Sequence, residues 1–494
     1  MSLISFNPKY VLKPDSGCAL ILAALVGRNQ LIGIDDSFTN VIHPIYAMIL
    51  SFIDGRDSKL CIEDASKTLS VPCDLIERFV KRLLDNPNSV VSKGKDGVSA
   101  FPPYTIITQN DGTINKRYKA EWFNYETTDL RIKRHFTPSN ITLMLNNVCK
   151  TNCIYCYQDK SRVVNCQIPL SRIKELIHEA HELRVNTFDV IGGEFFLYKH
   201  WKEVLAELRK YDFNPYLSTK MPLGEEDIQY LAKLNIHDIQ VSVDSLIEDH
   251  LIKSIGVKEG YVRRIVNSLQ MLDHYGIPVM VHSVLTKYNS SIEDMKSIYD
   301  VLIKMRHLMD WHVVKGDETL YPRTEYKNIE IQDKALLNII DYLSNIAKDQ
   351  KVKIVYPQGI FESRDFDVTQ TEETLKEQFF NRSFCSGLFS SLYILPTGKV
   401  TICEQLYWKN PRFYVGDVMK NSLEEIWNSK ESNELYYLKQ SDIPEDSLCH
   451  SCKDFKKCRE GRQVCYREIV KKHGSDKWYY PDVSCPYTKS NKNK

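Results

Sequence analysis

Between residues 141 and 316, short apolar runs alternate with stretches whose apolar positions recur every three or four residues. The runs ITLMLN, TFDVIGG, NPYLST, DIQVSVDS, PVMVHSVLT and DWHVVKG read as strands. LSRIKELIHEAHEL, EEDIQYLAKL, YVRRIVNSLQMLDHYG and SIEDMKSIYDVLIKM read as amphipathic helices. Six strand–helix units in succession predict an α/β fold on a parallel sheet, open or curled into a partial barrel. Chemistry in such sheets collects at the carboxyl ends of the strands.

The flanks read differently. The first hundred residues give a short strand pair and three helical segments, PIYAMILSFIDG, CIEDASKTLS and CDLIERFVKRLLDN. A hairpin, SVVSKGKDGVSAF, follows with its turn at KDG. Three helices and a hairpin predict a winged helix-turn-helix. In its last helix Asp74, Glu77 and Asp85 oppose Arg78, Lys81 and Arg82, so no basic face is left for phosphates, and nucleic acid is not an expected partner. A net charge of +1 likewise gives no global field toward nucleic acid or an acidic membrane. The run CALILAALVG (18–27) is too short to span a bilayer and reads as a buried strand. Without a signal-peptide pattern, a cytoplasmic chain with no membrane partner is expected. Residues 317–380 are charge-rich and read as a helical bridge, and the tail KSNKNK reads as a frayed end. The expected division is 1–105, a linker at 106–135, 136–320, 321–380 and 381–494.

Fourteen cysteines in a chain expected in a reducing compartment point to metal ligands and thiols rather than disulfides. Ten fall in two sets, while Cys18, Cys61, Cys73 and Cys166 stand apart and read as buried small apolar residues. The first set, Cys149, Cys153 and Cys156, has C-x3-C-x2-C spacing at the end of the first strand. Three thiolates on one loop can hold three irons of a [4Fe–4S] cube and leave the fourth open, the mark of a catalytic centre. A zinc knuckle completed from elsewhere is the alternative. The second set begins CSGLFSSLYILPTGKVTIC, where LPTG predicts a hairpin turn that brings Cys385 and Cys403 together. Cys449, Cys452, Cys458, Cys465 and Cys485 follow, and a zinc ribbon is the alternative there.

The first loop resembles that of the radical S-adenosylmethionine (SAM) superfamily, C-x3-C-x-aromatic-C, with Tyr155 as the aromatic residue. The resemblance implies that SAM fills the open iron position and yields a 5′-deoxyadenosyl radical, with Tyr155 near the adenine. Gly192, Gly193 and Glu194 (GGE) end the second strand, where similar proteins bind the SAM amine. Ser218 and Thr219 end the third, and Ser242 and Asp244 the fourth, positions that in the family meet the ribose and the methionyl carboxylate. Relatives often carry an arginine after strand four for that carboxylate, whereas this chain offers Lys253 or Lys258. The second set looks like the SPASM extension of peptide-modifying members, with GDVMKNSLEEIW between its cysteine groups. Carried over, Cys449, Cys452, Cys458 and Cys485 close one auxiliary [4Fe–4S] cluster, and Cys385, Cys403 and Cys465 hold a second that lacks a fourth cysteine. The gap before Cys465 is longer than is common in the family.

What the resemblance implies is a partial (β/α)6 TIM barrel between an N-terminal winged helix and a C-terminal SPASM domain, carrying SAM and three [4Fe–4S] clusters. The winged helix resembles precursor-recognition domains of enzymes that modify ribosomally made peptides, where a leader adds as a strand to the wing. The expected activity is a peptide maturase that installs a crosslink, thioether in preference to carbon–carbon or carbon–oxygen. Its expected partners are a precursor peptide with a leader and an electron donor such as flavodoxin or ferredoxin. The alternatives are a sulfatase-maturating enzyme that makes formylglycine and, from another class, an iron–sulfur regulator that binds DNA.

Overall fold

A computed structural model describes residues 2–24, 40–357 and 371–489, apart from 111–112, 115, 132, 237, 383–384 and 462. The tail KSNKNK, the end of the CALILAALVG run and residues 358–370 of the expected bridge lie outside the described residues or at their edge. The chain folds as two compact units, one of Met1–Asn140 with Ala180–Thr187 and one of Ile141–Glu179 with Phe188–Lys494.

The first unit begins with β1 (Leu3–Phe6), β2 (Tyr10–Asp15), β3 (Cys18–Ala23) and β4 (Asn40–Ile42). Then come α1 (Pro44–Leu50), β5 (Asp54–Asp57), α2 (Ser58–Leu69), α3 (Cys73–Leu83), the hairpin β6 (Val90–Gly94) and β7 (Gly97–Phe101), and β8 (Ile106–Gln109). β1 pairs antiparallel with β5 and β8, and β2–β3–β4 form an antiparallel sheet whose middle strand is buried throughout. The hairpin turns at Gly97, whose φ of +128° is a conformation that side chains with a Cβ rarely adopt. In α3, Ile76, Val80 and Leu83 form the buried stripe. On its charged face Arg78 pairs with Asp74 (2.9 Å) and Lys81 with Glu77 (2.7 Å). Of the isolated cysteines, Cys18 and Cys61 are buried as expected and Cys166 is half-buried. Cys73 is exposed, because it opens α3 ahead of the stripe that starts at Ile76.

The second unit starts with β9 (Asn140–Met144), α4 (Leu170–Glu182), β10 (Thr187–Ile191), α5 (Trp201–Lys210), β11 (Ser218–Thr219), α6 (Glu225–Lys233) and β12 (Ile239–Ser242). It continues with α7 (Glu248–Ile255), α8 (Tyr261–His274), β13 (Val279–Leu285), α9 (Ile292–Leu302), β14 (Leu308–Lys315), α10 (Asp333–Ala347), β15 (Ile354–Val355) and α11 (Glu372–Asn381). Its last part holds β16 (Ser391–Ile394), β17 (Lys399–Thr401), β18 (Gly416–Asp417), α12 (Leu423–Trp427), α13 (Lys430–Tyr436), α14 (Phe455–Glu460) and α15 (Tyr466–His473).

All six expected strands are present, but they do not form one ladder. β11–β12–β13–β14–β15 is a parallel sheet, and β10–β9 belongs to a second sheet completed by β16–β17–β18. The break falls at β11, where only two residues of the run NPYLST are strand. Pro215 within it has no N–H to give a ladder. β9 takes its other neighbour from the second cysteine region instead. The expected LPTG hairpin forms there, with Ile394 opposite Val400 and Gly398 at a φ of +86°. Among the described residues no helix is long and apolar enough to cross a membrane.

Candidate active site

Strand alternation sets the floor of the site. In β12–β14, Ile239, Val241, Val281, Trp311 and Val313 turn inward and are almost fully buried. Gln240, Ser242, His282, Val284 and Val314 alternate with them and line a cavity of about 600 Å3, within the size range of ligand pockets. Along this floor the Gln240 amide donates to Ser218 Oγ (2.8 Å) and Ser242 Oγ (3.4 Å), and the Tyr216 hydroxyl donates to Gln240. Burial and Lys220 push the His282 imidazole down to about 4, so it is neutral.

The cysteine loop hangs from both sides by backbone bonds. On entry, two buried asparagines staple it. Asn146 accepts from the Val148 N–H (3.0 Å) and donates to the Glu194 carbonyl (3.2 Å), while Asn147 donates to Asp159 and Arg162 carbonyls and accepts from the Val164 N–H (2.8 Å). Further along, the N–H groups of Asn152 and Ile154 donate to the Ile255 (2.7 Å) and Ser254 (3.0 Å) carbonyls at the end of α7. Those carbonyls have no partner inside the helix, so the loop caps it. Gly256, in the left-handed region, ends α7 at that point.

The GGE turn has a steric reason in the chain itself. Gly193 N–H donates to the Asn146 carbonyl (2.7 Å), and a Cβ on Gly193 would run into the Val148 carbonyl oxygen and come within 2.5 Å of the Asn147 carbonyl carbon. Glu194 is 4% exposed and accepts from Thr219 Oγ1 (2.9 Å) and the Lys220 N–H (3.3 Å). Burial raises its carboxyl to about 7, against the lowering effect of those donors.

Of the residues expected from sequence, Cys149, Cys153, Cys156, Tyr155, Gly192, Gly193, Glu194, Ser218, Thr219 and Ser242 all line this cavity. Asp244 lies just beneath it. Its carboxylate accepts from the Tyr155 hydroxyl, from Lys220 Nζ (2.7 Å) and from the Val284 N–H (3.0 Å). Lys253 does not join them: Leu251, Ser254 and Ile255 are the buried face of α7, and Lys253 is on the exposed one, as is Lys258 just beyond. One cation of the cavity is Lys220, which also donates to the Tyr155 hydroxyl (2.5 Å). It directly follows the LST run, and Gln240 sits two residues before Ser242, so alternation along the strand could have found the latter.

The cavity also takes in Asp317 and Glu318 after β14, and Glu404, Gln405 and Arg467 from the second cysteine region. Burial raises the Glu404 carboxyl, opposed by Arg467. No spacing rule pointed to these residues, because their common wall arises from pairing between strands distant in sequence.

Electrostatics sorts the thiols into three groups. Burial raises Cys149 to about 11, with Lys160 Nζ donating to its sulfur (3.3 Å) and Cys156 and Cys153 repelling it. Cys403, raised to about 12 by burial, feels Cys385 and Cys465. Cys458 and Cys485 each feel Cys449, and Cys485 also feels Cys452. Cys149, Cys153 and Cys156 thus lie together, as do Cys385, Cys403 and Cys465, and Cys449, Cys452, Cys458 and Cys485. The Cys465 backbone is held by Asp482, which accepts its N–H (2.8 Å) and pairs with Arg382 (3.0 Å). Gln440 donates to the Cys449 (3.1 Å) and Cys452 (2.9 Å) carbonyls. Among the described residues no three His, Cys, Asp or Glu side chains converge on a single-ion site. Three or four half-buried thiols gathered with Lys160, Arg467 or Arg459 beside them fit an anionic cluster, whose thiolates attach to different irons.

Comparison with known proteins agrees with this layout. The radical SAM superfamily is matched over residues 143–302 and the SPASM iron–sulfur cluster-binding domain over 385–453. The sporulation killing factor maturation protein SkfB of Bacillus subtilis (strain 168) is 22% identical over 31% of this chain and 38% of its own length. The antilisterial bacteriocin subtilosin biosynthesis protein AlbA of the same organism is 20% identical over 64% of this chain and 65% of its own. The chain thus spans from about a third to two thirds of these curated relatives. Streptococcus suis SuiB, solved bound to the precursor peptide SuiA, has the same fold, with a TM-score of 0.63 at 14% identity over 98% of this chain and 100% of that one. The chain therefore carries a radical SAM region followed by a SPASM region.

Proposed function

We propose that this chain is a radical SAM oxidoreductase that matures a ribosomally made peptide by installing an intramolecular crosslink. The observation that carries the reading is the shared cavity. The Cys149–Cys156 loop forms one wall, and Glu404, Gln405 and Arg467, beside Cys403 and Cys465, form another, so one substrate side chain meets both cysteine regions. Cys149, Cys153 and Cys156 would hold one [4Fe–4S] cluster, Cys449, Cys452, Cys458 and Cys485 a second, and Cys385, Cys403 and Cys465 a third. Together with SAM these groups supply a hydrogen-abstracting radical and one-electron acceptance.

The chain's own residues do the rest. Glu194 is placed for the SAM ammonium and Gly192 lines its approach. Ser218, Thr219, Ser242 and Gln240 offer donors and acceptors for the ribose, and Lys220 offers a cation for the methionyl carboxylate. Tyr155, locked by Asp244 and Lys220, presents a fixed ring face to the adenine. Asp317 and Glu318 on the opposite rim can take the proton released on crosslinking. A thioether is the favoured bond, since the three-cysteine set leaves room for a substrate thiolate. The six-strand region acts as a partial barrel, and the three helices and hairpin of the first unit act as a winged helix whose strand edges accept the leader. A flavodoxin- or ferredoxin-type donor would supply the reducing electron.

The test is anaerobic reconstitution. The protein should hold about twelve irons, and replacing Cys149, Cys153 and Cys156 with Ala should remove about four of them and abolish 5′-deoxyadenosine release. Co-expression with a candidate precursor should yield a product lighter by about two mass units per crosslink. Release that survives the triple replacement refutes the loop assignment. An unmodified peptide alongside formylglycine on a sulfatase substrate would transfer the reading to the sulfatase-maturating class.

A further inference from the structure

A single guanidinium stands between the two auxiliary thiol groups. Arg459 follows Cys458 on α14, and its Nη1 donates to the Tyr466 hydroxyl at 3.2 Å. The guanidinium carbon is 5.3 Å from the centre of the Phe455 ring and 5.8 Å from that of Tyr466, so an aromatic clamp fixes its plane. Nη2 is buried without a hydrogen-bond partner among the described residues. The groups that act on its charge are Tyr466 and then the thiols of Cys449 and Cys458. The other set reaches the same point, because Cys385, Arg459 and Tyr466 line one cavity of about 50 Å3.

A buried cation with an unused donor is costly unless an anion completes it. Arginine suits two anionic neighbours better than lysine, since its rigid fork donates in two directions and its charge is permanent. We propose that Arg459 is a positioning residue shared by the two auxiliary iron–sulfur sites, donating toward the sulfur of both and raising their reduction potentials. This rests on the reading above that both thiol sets hold clusters. One-electron reduction of such a centre adds one negative charge and makes or breaks no bond. In turnover the electron comes from the substrate radical, which gives up a proton as it is oxidised. A fixed positive charge beside the sulfur favours the reduced form, so removing that charge lowers the midpoint.

The experiment uses the full chain with Cys149, Cys153 and Cys156 replaced by Ala, so that only auxiliary signals remain. Redox titration with dithionite is followed by electron paramagnetic resonance, with iron counted in parallel. Arg459→Gln should keep about eight irons and shift the reduction equilibrium at least tenfold toward the oxidised form, about 59 mV for one electron. Arg459→Lys should shift it less. Tyr466→Phe, which removes only the hydroxyl that steers the guanidinium, should give a smaller fall of the same sign, and it decides the matter if Arg459→Gln does not load. Full iron with unmoved midpoints overturns the role of Arg459 alone. Absence of auxiliary iron in the parent chain overturns the cluster reading and this proposal with it.

Discussion

The two cysteine regions are built by different means. The loop at Cys149–Cys156 is hung largely by main-chain bonds, at the GGE turn and from the end of α7, with the side chains of Asn146 and Asn147 stapling its entry. The region from Cys385 to Cys485 relies on side chains: Asp482 on the Cys465 N–H, Gln440 on the Cys449 and Cys452 carbonyls, and Arg459 among the thiols. The first should therefore fail on a change of backbone space or on loss of its two asparagine staples, and tolerate changes to its other surrounding side chains. The second should fail on loss of single polar groups.

Gly193→Ala is the sharpest way to break the first region. With backbone carbonyls where the new methyl must go, it should cost about 3 kcal/mol, at the top of the overpacking range, and empty the loop of iron. Denaturant unfolding and iron analysis measure both effects, and a fully loaded variant of normal stability would show that the turn can give way. In the second region, Asp482→Asn keeps the shape but loses charge-assisted bonds to Arg382 and weakens the hold on Cys465. A loss of about 2 kcal/mol is expected, with auxiliary iron lost and the first site intact. If the first site emptied as well, the contrast between the regions would fall.

A smaller effect follows from Glu194. Its acid is raised to about 7, so on the proposed reading the SAM ammonium would meet a neutral group below that pH, and binding would first have to remove a proton. Affinity should fall about tenfold per pH unit below 7 and level off above it, while Glu194→Gln should bind weakly at every pH. Calorimetric titration from pH 6 to 8 distinguishes the curves. In the ligand-free chain the same proton stabilises the fold at low pH, and that stabilisation is lost as pH rises through about 7. The smallest effect belongs to Lys253→Ala, which should change stability by no more than about 0.5 kcal/mol and leave SAM affinity alone. Lys220→Ala strands the buried Asp244 carboxylate and should weaken binding measurably.

What could be read from the chain was local. Alternation located all six strands, the apolar run before Cys149 placed the first loop at the end of β9, and LPTG predicted the turn at Gly398. The groupings of the auxiliary thiols were implied by the family resemblance, not by spacing. Strand neighbours were not legible: β9 pairs with β16, almost 250 residues away in sequence, and the sheet breaks at β11 because a proline falls in a short run. Side chains whose role depends on such pairing, among them Glu404 and Arg467, gave no sequence signal. Lys253 was expected at the site because it follows strand four, but helical phase decides where it points, and Lys220, directly after β11, was not considered. Asn146 and Asn147 were visible as letters, and only their burial reveals them as staples.

The pairing of β9 with β16 bears on how this protein can be cut, shuffled or inherited. A chain ended at Asn381 would leave the strand that carries the first cysteine loop with a bare edge, open to pairing with other chains. Such a truncation should aggregate rather than yield a smaller soluble enzyme. The C-terminal region is thus the missing flank of the sheet as well as an attachment, and lineages or designs that exchange it must exchange an edge-compatible strand along with the cysteines.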